Sequence, residues 1–309
     1  MDRFDTMLAF TRVVELASFT KAAHSLSLPK TTVSAQVVAL EKRLAVKLLN
    51  RTTRHVSVTT DGAAYYERAI RLLNELDETE ASVRQFTTKP KGRLRIDIPA
   101  SLGRRIVMPA IKGFFDRYPE IDLEIGCSDR PVDLLQEGVD CVIRGGDLLD
   151  QSMVARRIGS IRVVSCATPD YLRRAGIPQT PEDIERHVTI NYMSSKTGKI
   201  YEFDYVKDGT TNMVMGQRSI AINDSDACLE AGLASVGIMQ TASFLVQDLI
   251  ATGELEVVLG EYLSEDIPVF VMYPQNRHLS SKVRAFVDWV AELFANSDLL
   301  QSKTTLRQN

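Results

Sequence analysis

Residues 18–61 constrain this chain more tightly than any other stretch: two short helical patterns, separated by Leu28-Pro29, lead into a basic, β-prone segment. Ser18 stands where a helix needs its N-cap, and Ala22, Ala23 and Leu26 follow, with alanines small enough to let a second helix approach closely. Leu28-Pro29 breaks the chain before that second helix. There Val33, Val37, Leu40 and Leu44 fall at i, i+4, i+7 and i+11, which predicts a buried stripe. The expected outward residues are Lys30, Thr31, Thr32, Ser34, Ala35 and Gln36, near the helix end from which recognition helices read base edges. Residues 48–59 then read as two extended pieces around a turn bearing Arg51, Arg54 and His55, a β-wing whose basic tip can reach a phosphate or the minor groove. A plain helical hairpin would account for the two helices alone. It gives no reason for the basic wing.

Charge follows the same division. Residues 1–58 carry nine Lys/Arg against four acids, a surplus of +5, so the chain's net −3 leaves −8 for the remainder. A basic head on an acidic body suits a nucleic-acid reader whose other part handles something else, although basic clusters also occur as solvated faces. At 309 residues the chain has room for two domains, each with its own core. No apolar run nears the ~20 residues that cross a bilayer. The uncharged stretch 231–247 is broken by Gly, Ser and Gln, and the opening Asp2, Arg3 and Asp5 precede no apolar leader, so a cytoplasmic protein without membrane contact is expected. Cys127, Cys141, Cys166 and Cys228 are widely spaced in apolar contexts and predict buried free thiols, with a redox switch as the alternative.

Enzyme motifs are missing: there is no G-x-G-x-x-G after a strand, no phosphate-binding G-x-x-x-x-G-K-[ST], no H-E-x-x-H and no G-x-S-x-G. His24, His55, His187 and His278 are scattered, two of them in the head, which leaves little for a metal site or a Ser/His pairing. No catalytic residue, metal or cofactor is expected. A storage or transport protein would leave the basic head without a purpose.

From Thr60 a long helix is expected, with Tyr65, Ala69, Leu72, Leu76, Thr79, Val83 and Phe86 recurring at spacings of 4 and 3. Such a seam needs a partner, either a second copy of itself or the chain's own body. Residues 88–92, Thr-Lys-Pro-Lys-Gly, form a polar hinge. Beyond it the pattern alternates: strands at 94–98, 121–125 and 139–143 flank helices at 104–118 and 131–137. A second series follows, with strands at 162–166, 188–192 and 237–240, helices at 224–234 and 244–252, a strand at 267–272 and an amphipathic helix at 280–296. Alternation of this kind predicts parallel sheets covered by helices.

These residues together resemble the LysR-type transcriptional regulators. The likeness runs through Phe19-Thr20, Ala22-Ala23, Leu26, Val33-Ser34, Leu40-Glu41, Leu44, Leu48, Arg51-Thr52 and Val58-Thr59-Thr60-Asp61-Gly62 in the head. In the body it runs through Pro99-Ala100-Ser101, Pro109, Tyr118-Pro119, Asp140, Ile143-Arg144-Gly145-Gly146, Ala167-Thr168-Pro169-Asp170-Tyr171-Leu172, Asn223-Asp224 and Ala231-Gly232-Leu233. Ala45 departs from the family's usual Gly, a small steric change, and Ala35 replaces a frequent basic residue, which removes a DNA contact. The resemblance implies a winged helix-turn-helix head at 1–59, a linker and dimerisation helix at 60–88, a hinge at 89–92 and an effector-binding domain at 93–300. A disordered tail is expected at 301–309. The effector-binding domain would be α/β, with two Rossmann-like subdomains of periplasmic-binding-protein type, one of residues 93–162 and 268–300 and one of residues 163–267, around a ligand cleft.

The implied function is a ligand-responsive transcription factor that binds double-stranded promoter DNA as a homodimer or homotetramer, with RNA polymerase as a further partner. Arg51, Arg54, Ser18 and Thr20 are the expected phosphate contacts, and Lys30, Thr31, Thr32, Ser34 and Gln36 the base readers. Leu72, Leu76 and Val83 are the expected dimer contacts. Ligands in such sheets sit off the carboxyl ends of strands, where helix N-termini present free N–H groups. That rule singles out Ser101, Leu102, Arg144, Asp147, Met193, Ser195, Asn223, Gln240 and Thr241 for a small effector, an organic or aromatic carboxylate, each with a turn or helix-cap role as the alternative.

Overall fold

Helix α1 (Arg3–Leu16) opens the head, capped by the Asp2 carboxylate, which accepts the Phe4 N–H, and closed at Ala17 in the left-handed region (φ 47°). The pattern at 18–61 does not announce it, and its apolar residues are spread around the circumference: Ala9, Phe10 and Val13 are buried, while Phe4, Leu8 and Leu16 stay exposed. Helix α2 (Phe19–Ser25) starts as expected, with the Ser18 hydroxyl accepting the Lys21 N–H at 3.3 Å. Helix α3 (Lys30–Leu44) follows Pro29 and buries Val33, Val37 and Leu40 against Ala22 and Ala23. Two positions on α3 differ from expectation. Gln36 is only 7% exposed, because it sits three residues after Val33 and four before Leu40, on the same helical face. Leu44 is 37% exposed, because it lies on the last turn, beyond the contact with α1 and α2.

Strands β1 (Leu49–Arg51) and β2 (Val56–Val58) pair antiparallel as the wing. Glu41 Oε1 accepts the N–H groups of Leu48 and Leu49 at 3.0 and 3.1 Å, which fastens α3 to the wing. Helix α4 (Thr60–Val83) starts behind Thr59, whose hydroxyl donates to the Lys47 carbonyl and accepts the Gly62 N–H. Gly62 has no room for a side chain: a Cβ there would stand 2.0 Å from the Leu48 carbonyl oxygen. The first turns of α4 pack on α1, with Tyr65 edge-on to Phe10 at 5.6 Å and Ala69 buried. Leu72 is 49% exposed. The apolar seam therefore changes use along its length, serving the chain's own head as far as Ala69 and facing outward at Leu72.

This computed structural model describes residues 2–51, 56–83, 89–146, 153–275 and 279–301, in two compact units, Met1–Thr88 and Lys89–Asn309. Arg54, Phe86, Asp147 and residues 302–309 of the tail lie outside the described residues, as do the side chains of Arg51 and Val83.

The second unit begins with β3 (Gly92–Ile98), α5 (Ala100–Leu102), a π-helical turn (Gly103–Val107), α6 (Met108–Arg117), β4 (Ile121–Cys127), α7 (Leu134–Glu137), β5 (Cys141–Gly145) and β6 (Met153–Ile161). It continues with β7 (Val163–Ala167), α8 (Pro169–Ala175), a 3-10 turn (Pro181–Arg186), β8 (Val188–Tyr192), the hairpin β9 (Phe203–Lys207) and β10 (Thr210–Val214), and β11 (Arg218–Ile222). Then come α9 (Ser225–Leu233), β12 (Ile238–Ala242), α10 (Ser243–Ala251), β13 (Glu256–Val257), β14 (Ile267–Pro274), α11 (Ser281–Ala295) and α12 (Asp298–Gln301). Two five-stranded sheets result, in the orders β4-β3-β5-β14-β6 and β11-β8-β12-β7-β13. The chain passes from the first to the second between Ile161 and Val163 and is back in the first at Ile267.

The sheets are mixed, not parallel throughout: β14 runs antiparallel to β5 and β6, and β7 antiparallel to β12 and β13. Helical crossovers join β3, β4 and β5 and lead from β11 to β12, the β9–β10 hairpin carries the chain from β8 to parallel β11, and β7 and β14 enter from the other sheet and escape that rule. Phe114, Phe286 and Trp289 pack ring to ring at 5.2 to 5.8 Å beneath the first sheet. Buried Lys282 donates to the Arg93 carbonyl at 2.7 Å and lies 3.7 Å from the Asp140 carboxylate, pinning α11 to the start of β3. Cys141, Cys166 and Cys228 are buried, and burial pushes the thiols of Cys166 and Cys228 up to about 12 and about 11. Cys127 is exposed, against expectation, because it is the last residue of an edge strand.

Candidate functional site

At the start of α3, Lys30, Thr31 and Ala35 are exposed and Thr32 and Ser34 half-buried, so a polar surface without a charged acceptor fronts the helix. Ser18 and Thr20 flank it at the start of α2, with Thr20 exposed and the Ser18 hydroxyl engaged as the cap. Gln36 does not belong to that surface. It is turned into the head, and its Oε1 has no hydrogen-bond partner among the described residues.

In the second unit, loops from both sheets meet at the carboxyl ends of parallel strands. Ser101, in the helix that follows β3, is 8% exposed. Beside it the Ala100 N–H donates to Asp129 Oδ1 at 3.1 Å, and the Tyr192 hydroxyl, at the end of β8, lies near enough to the same carboxylate to influence its charge. Asp129 thus ties the loop after β3 to the loop after β4, close to the end of β8. Burial raises its pKa above the usual carboxylate value, a bias that nearby Asp224 reinforces and the Ala100 amide, Tyr192 and Arg144 oppose. The Tyr192 hydroxyl is pushed up as well, by burial first and by Asp129 second. Arg104, in the π-helical turn, adds another tie by pairing with Asp226 of α9. Arg144, at the end of β5, is held by the Asp97 carboxylate and the Ile143 carbonyl.

The second sheet contributes the loop after Tyr192. Met193 bridges to Ile200, and the Ser194 hydroxyl accepts the N–H groups of Lys196 and Thr197, which leaves Ser195 half-buried in a tight turn. The rings of Tyr192 and Tyr201 stand 6.2 Å apart, with Lys199 over Tyr201. Asn223 is exposed after β11 and precedes Asp224, whose carboxylate caps α9 through the Ala227 N–H at 2.8 Å.

Ser101, Arg144, Met193, Ser195 and Asn223 lie at or just past the carboxyl ends of β3, β5, β8 and β11, while three other expected residues are committed to the core or to the second sheet. The Leu102 side chain is 1% exposed and belongs to the core with Ile98 and Ile106. Gln240 spends its amide on the hairpin, with Nε2 donating to the Asp204 carbonyl at 2.8 Å and Oε1 accepting the Asp204 N–H at 3.1 Å. Thr241 is buried opposite Val164. Both errors on β12 share one cause: the strand runs to Ala242, so these residues lie within it and not past its end. Asp129 belongs to the same class of position and is absent from the expected set: Ser128-Asp129 directly follows β4.

Comparison with known proteins agrees with this architecture. Residues 4–63 match the family described as bacterial regulatory helix-turn-helix protein, lysR family, and residues 87–295 match the LysR substrate binding domain. An HTH-type transcriptional repressor of Pseudomonas aeruginosa (strain UCBPP-PA14) is 39% identical over 301 residues, 97% of this chain and 95% of that protein. The HTH-type transcriptional regulator YhjC of Escherichia coli (strain K12) is 38% identical over 291 residues, 94% of this chain and 97% of that one. The solved structure of CrgA, a LysR-type transcriptional regulator from Neisseria meningitidis, is 30% identical with a TM-score of 0.59, covering 94% of this chain and 98% of CrgA. With its helix-turn-helix head and its two-sheet substrate-binding body, this chain belongs to the LysR family of DNA-binding transcriptional regulators.

Proposed function

We propose that this regulator responds to a small organic carboxylate, aromatic or aliphatic, seated between the two sheets of its effector-binding domain. The supporting observation is the bond from the Ala100 N–H to the Asp129 carboxylate: the start of the helix after β3 already holds a carboxylate, beside the buried Ser101. An effector carboxylate offers the same acceptor oxygens and would take that place, with the Tyr192 hydroxyl as a further donor. The rings of Tyr192 and Tyr201 provide apolar faces for the rest of the molecule. Ser101, Arg144, Asp147, Met193, Ser195 and Asn223 complete the proposed site.

On DNA, Lys30, Thr31, Thr32 and Ser34 read base edges, while Arg51, Arg54, Ser18 and Thr20 hold phosphates. Two copies joined through Leu72, Leu76 and Val83 present two heads to one promoter, and a pair of such dimers makes the tetramer. The functional division is head 1–59, linker 60–88, hinge 89–92 and effector domain 93–300. The protein acts in the cytoplasm, with RNA polymerase as its further partner.

The test is a mobility shift of promoter DNA with the full-length protein and a panel of small carboxylates, each beside its neutral amide. At least one carboxylate, and not its amide, changes the shift, and Ser101→Ala weakens that response roughly tenfold. Amides acting as strongly as their acids refute the carboxylate seat.

A further inference from the structure

The outward face of α3 is less polar than its opening residues suggest. At ~100° per residue, Thr31, Ala35, Val38 and Lys42 fall within an arc of about 60°, on the side of the helix opposite the buried Val33, Val37 and Leu40. Thr31 and Ala35 are exposed, and Val38 is 48% exposed. Lys30 stands beside the start of this strip and Lys42 and Arg43 at its end, all three exposed. Glu41, the only acid in α3, is turned to the wing, where it accepts the Leu48 and Leu49 N–H groups. The strip is thus apolar at its centre and basic at both ends, and no acid on it repels a phosphate.

This pattern fits one occupant, the major groove of a duplex, which brings phosphates to the basic ends and base edges to the centre. There the apolar feature of a base pair is the 5-methyl group of thymine, which alanine and other apolar side chains contact. The spacing agrees. Ala35 and Val38 are about 4.5 Å apart along the helix axis, against ~3.4 Å between successive base pairs. A β-branched residue such as Val38 adds nothing to an exposed helix by propensity, so its place on this face is explained by what the face meets. Ala35 offers no hydrogen bond, and its small size lets a methyl group approach closely.

We infer that Ala35 and Val38 read thymine, each covering the 5-methyl group of one of two thymines that lie one or two steps apart in the DNA facing α3. The inference rests on the proposed reading of bases by this helix and adds a preference that hydrogen bonds do not supply. Taking one methyl group out of water is worth about fourfold in affinity.

The test selects duplexes from a random pool with the full-length protein. Thymines of the selected duplex are then replaced one at a time by deoxyuridine, which lacks only the 5-methyl group. Mobility shifts with the wild type show two positions at which the replacement weakens binding about three- to fivefold. Val38→Ser abolishes the penalty at one position and Ala35→Gly at the other, with the head's unfolding midpoint as the check on folding. Ala35→Ser repeats the measurement in case glycine loosens the helix. Lys30→Ala is put through the same selection. Deoxyuridine tolerated at every position, or penalties that persist in all the variants at 35 and 38, overturns the methyl role. If Lys30→Ala also leaves the selected sequence unchanged, the proposed base contacts of α3 fall with it. A sequence that shifts in Lys30→Ala, without any methyl penalty in the wild type, leaves those contacts standing and overturns the role of Ala35 and Val38 alone.

Discussion

Glu41 carries the head's most concentrated stabilisation. One carboxylate oxygen accepts two main-chain N–H groups, from Leu48 and Leu49, at 3.0 and 3.1 Å, and both leucines are 1% exposed. Water therefore cannot replace the acceptor readily once it is removed. Hydrogen bonds to a charged acceptor contribute about 1.5 to 3 kcal/mol each, so losing both in Glu41→Ala costs about 3 to 6 kcal/mol. Domains of this size have only about 5 to 15 kcal/mol in total. Glu41→Gln keeps an acceptor oxygen without its charge and costs less, about 1 to 2 kcal/mol. Urea unfolding of the full-length chain, followed by circular dichroism, separates the head from the effector domain. Glu41→Ala lowers the head's midpoint and leaves the second transition in place, and promoter affinity falls with the fraction of folded head. A head midpoint unchanged at unchanged slope would refute the argument.

Ala45 closes α3 at φ 53°, a conformation that suits glycine and strains an L side chain, so Ala45→Gly stabilises the head by about 1 kcal/mol; loss of stability in the same urea experiment counts against it. Asp129 has a folded pKa raised by burial, so its contribution to stability is full below the ordinary carboxylate value near 4 and is lost as pH rises through the raised folded value. Asp129→Asn keeps the acceptor for the Ala100 N–H and stays neutral, so its Tm gains on the wild type as pH rises from the acid side toward neutrality, and a pH-independent difference would show that burial does not govern this group.

Helix and strand positions were legible where a pattern spans several turns or strands. Ser18, Pro29 and the Val33–Val37–Leu40 face placed α2 and α3, and the strand at 188–192 falls where alternation put it. What escaped was tertiary. Gln36 reads as a polar outward residue by type, yet its helical phase sets it beside Val33 and Leu40, and phase wins. Ala45 reads as a small steric change, yet the backbone there is left-handed, and no side-chain pattern reports φ. Gln240 and Thr241 turned on a strand end misplaced by two residues, which in a sheet decides whether a side chain faces a cleft or a neighbouring hairpin. Asp129 was open to discovery by the same topological rule that found Ser101 and Arg144, since it too directly follows a parallel strand.

The linker helix sets a limit on the proposed dimer. Tyr65 and Ala69 are already taken by α1 of their own head, so a partner helix is left the surface from Leu72 onward. From Leu72 the described helix continues to Val83. Leu72→Asp places a charge on the exposed seam, where a partner helix would have to bury it, and weakens association severalfold. Analytical ultracentrifugation across a concentration series reads the change. A variant that associates as tightly as the wild type would show that the outward seam of α4 does not join the two copies.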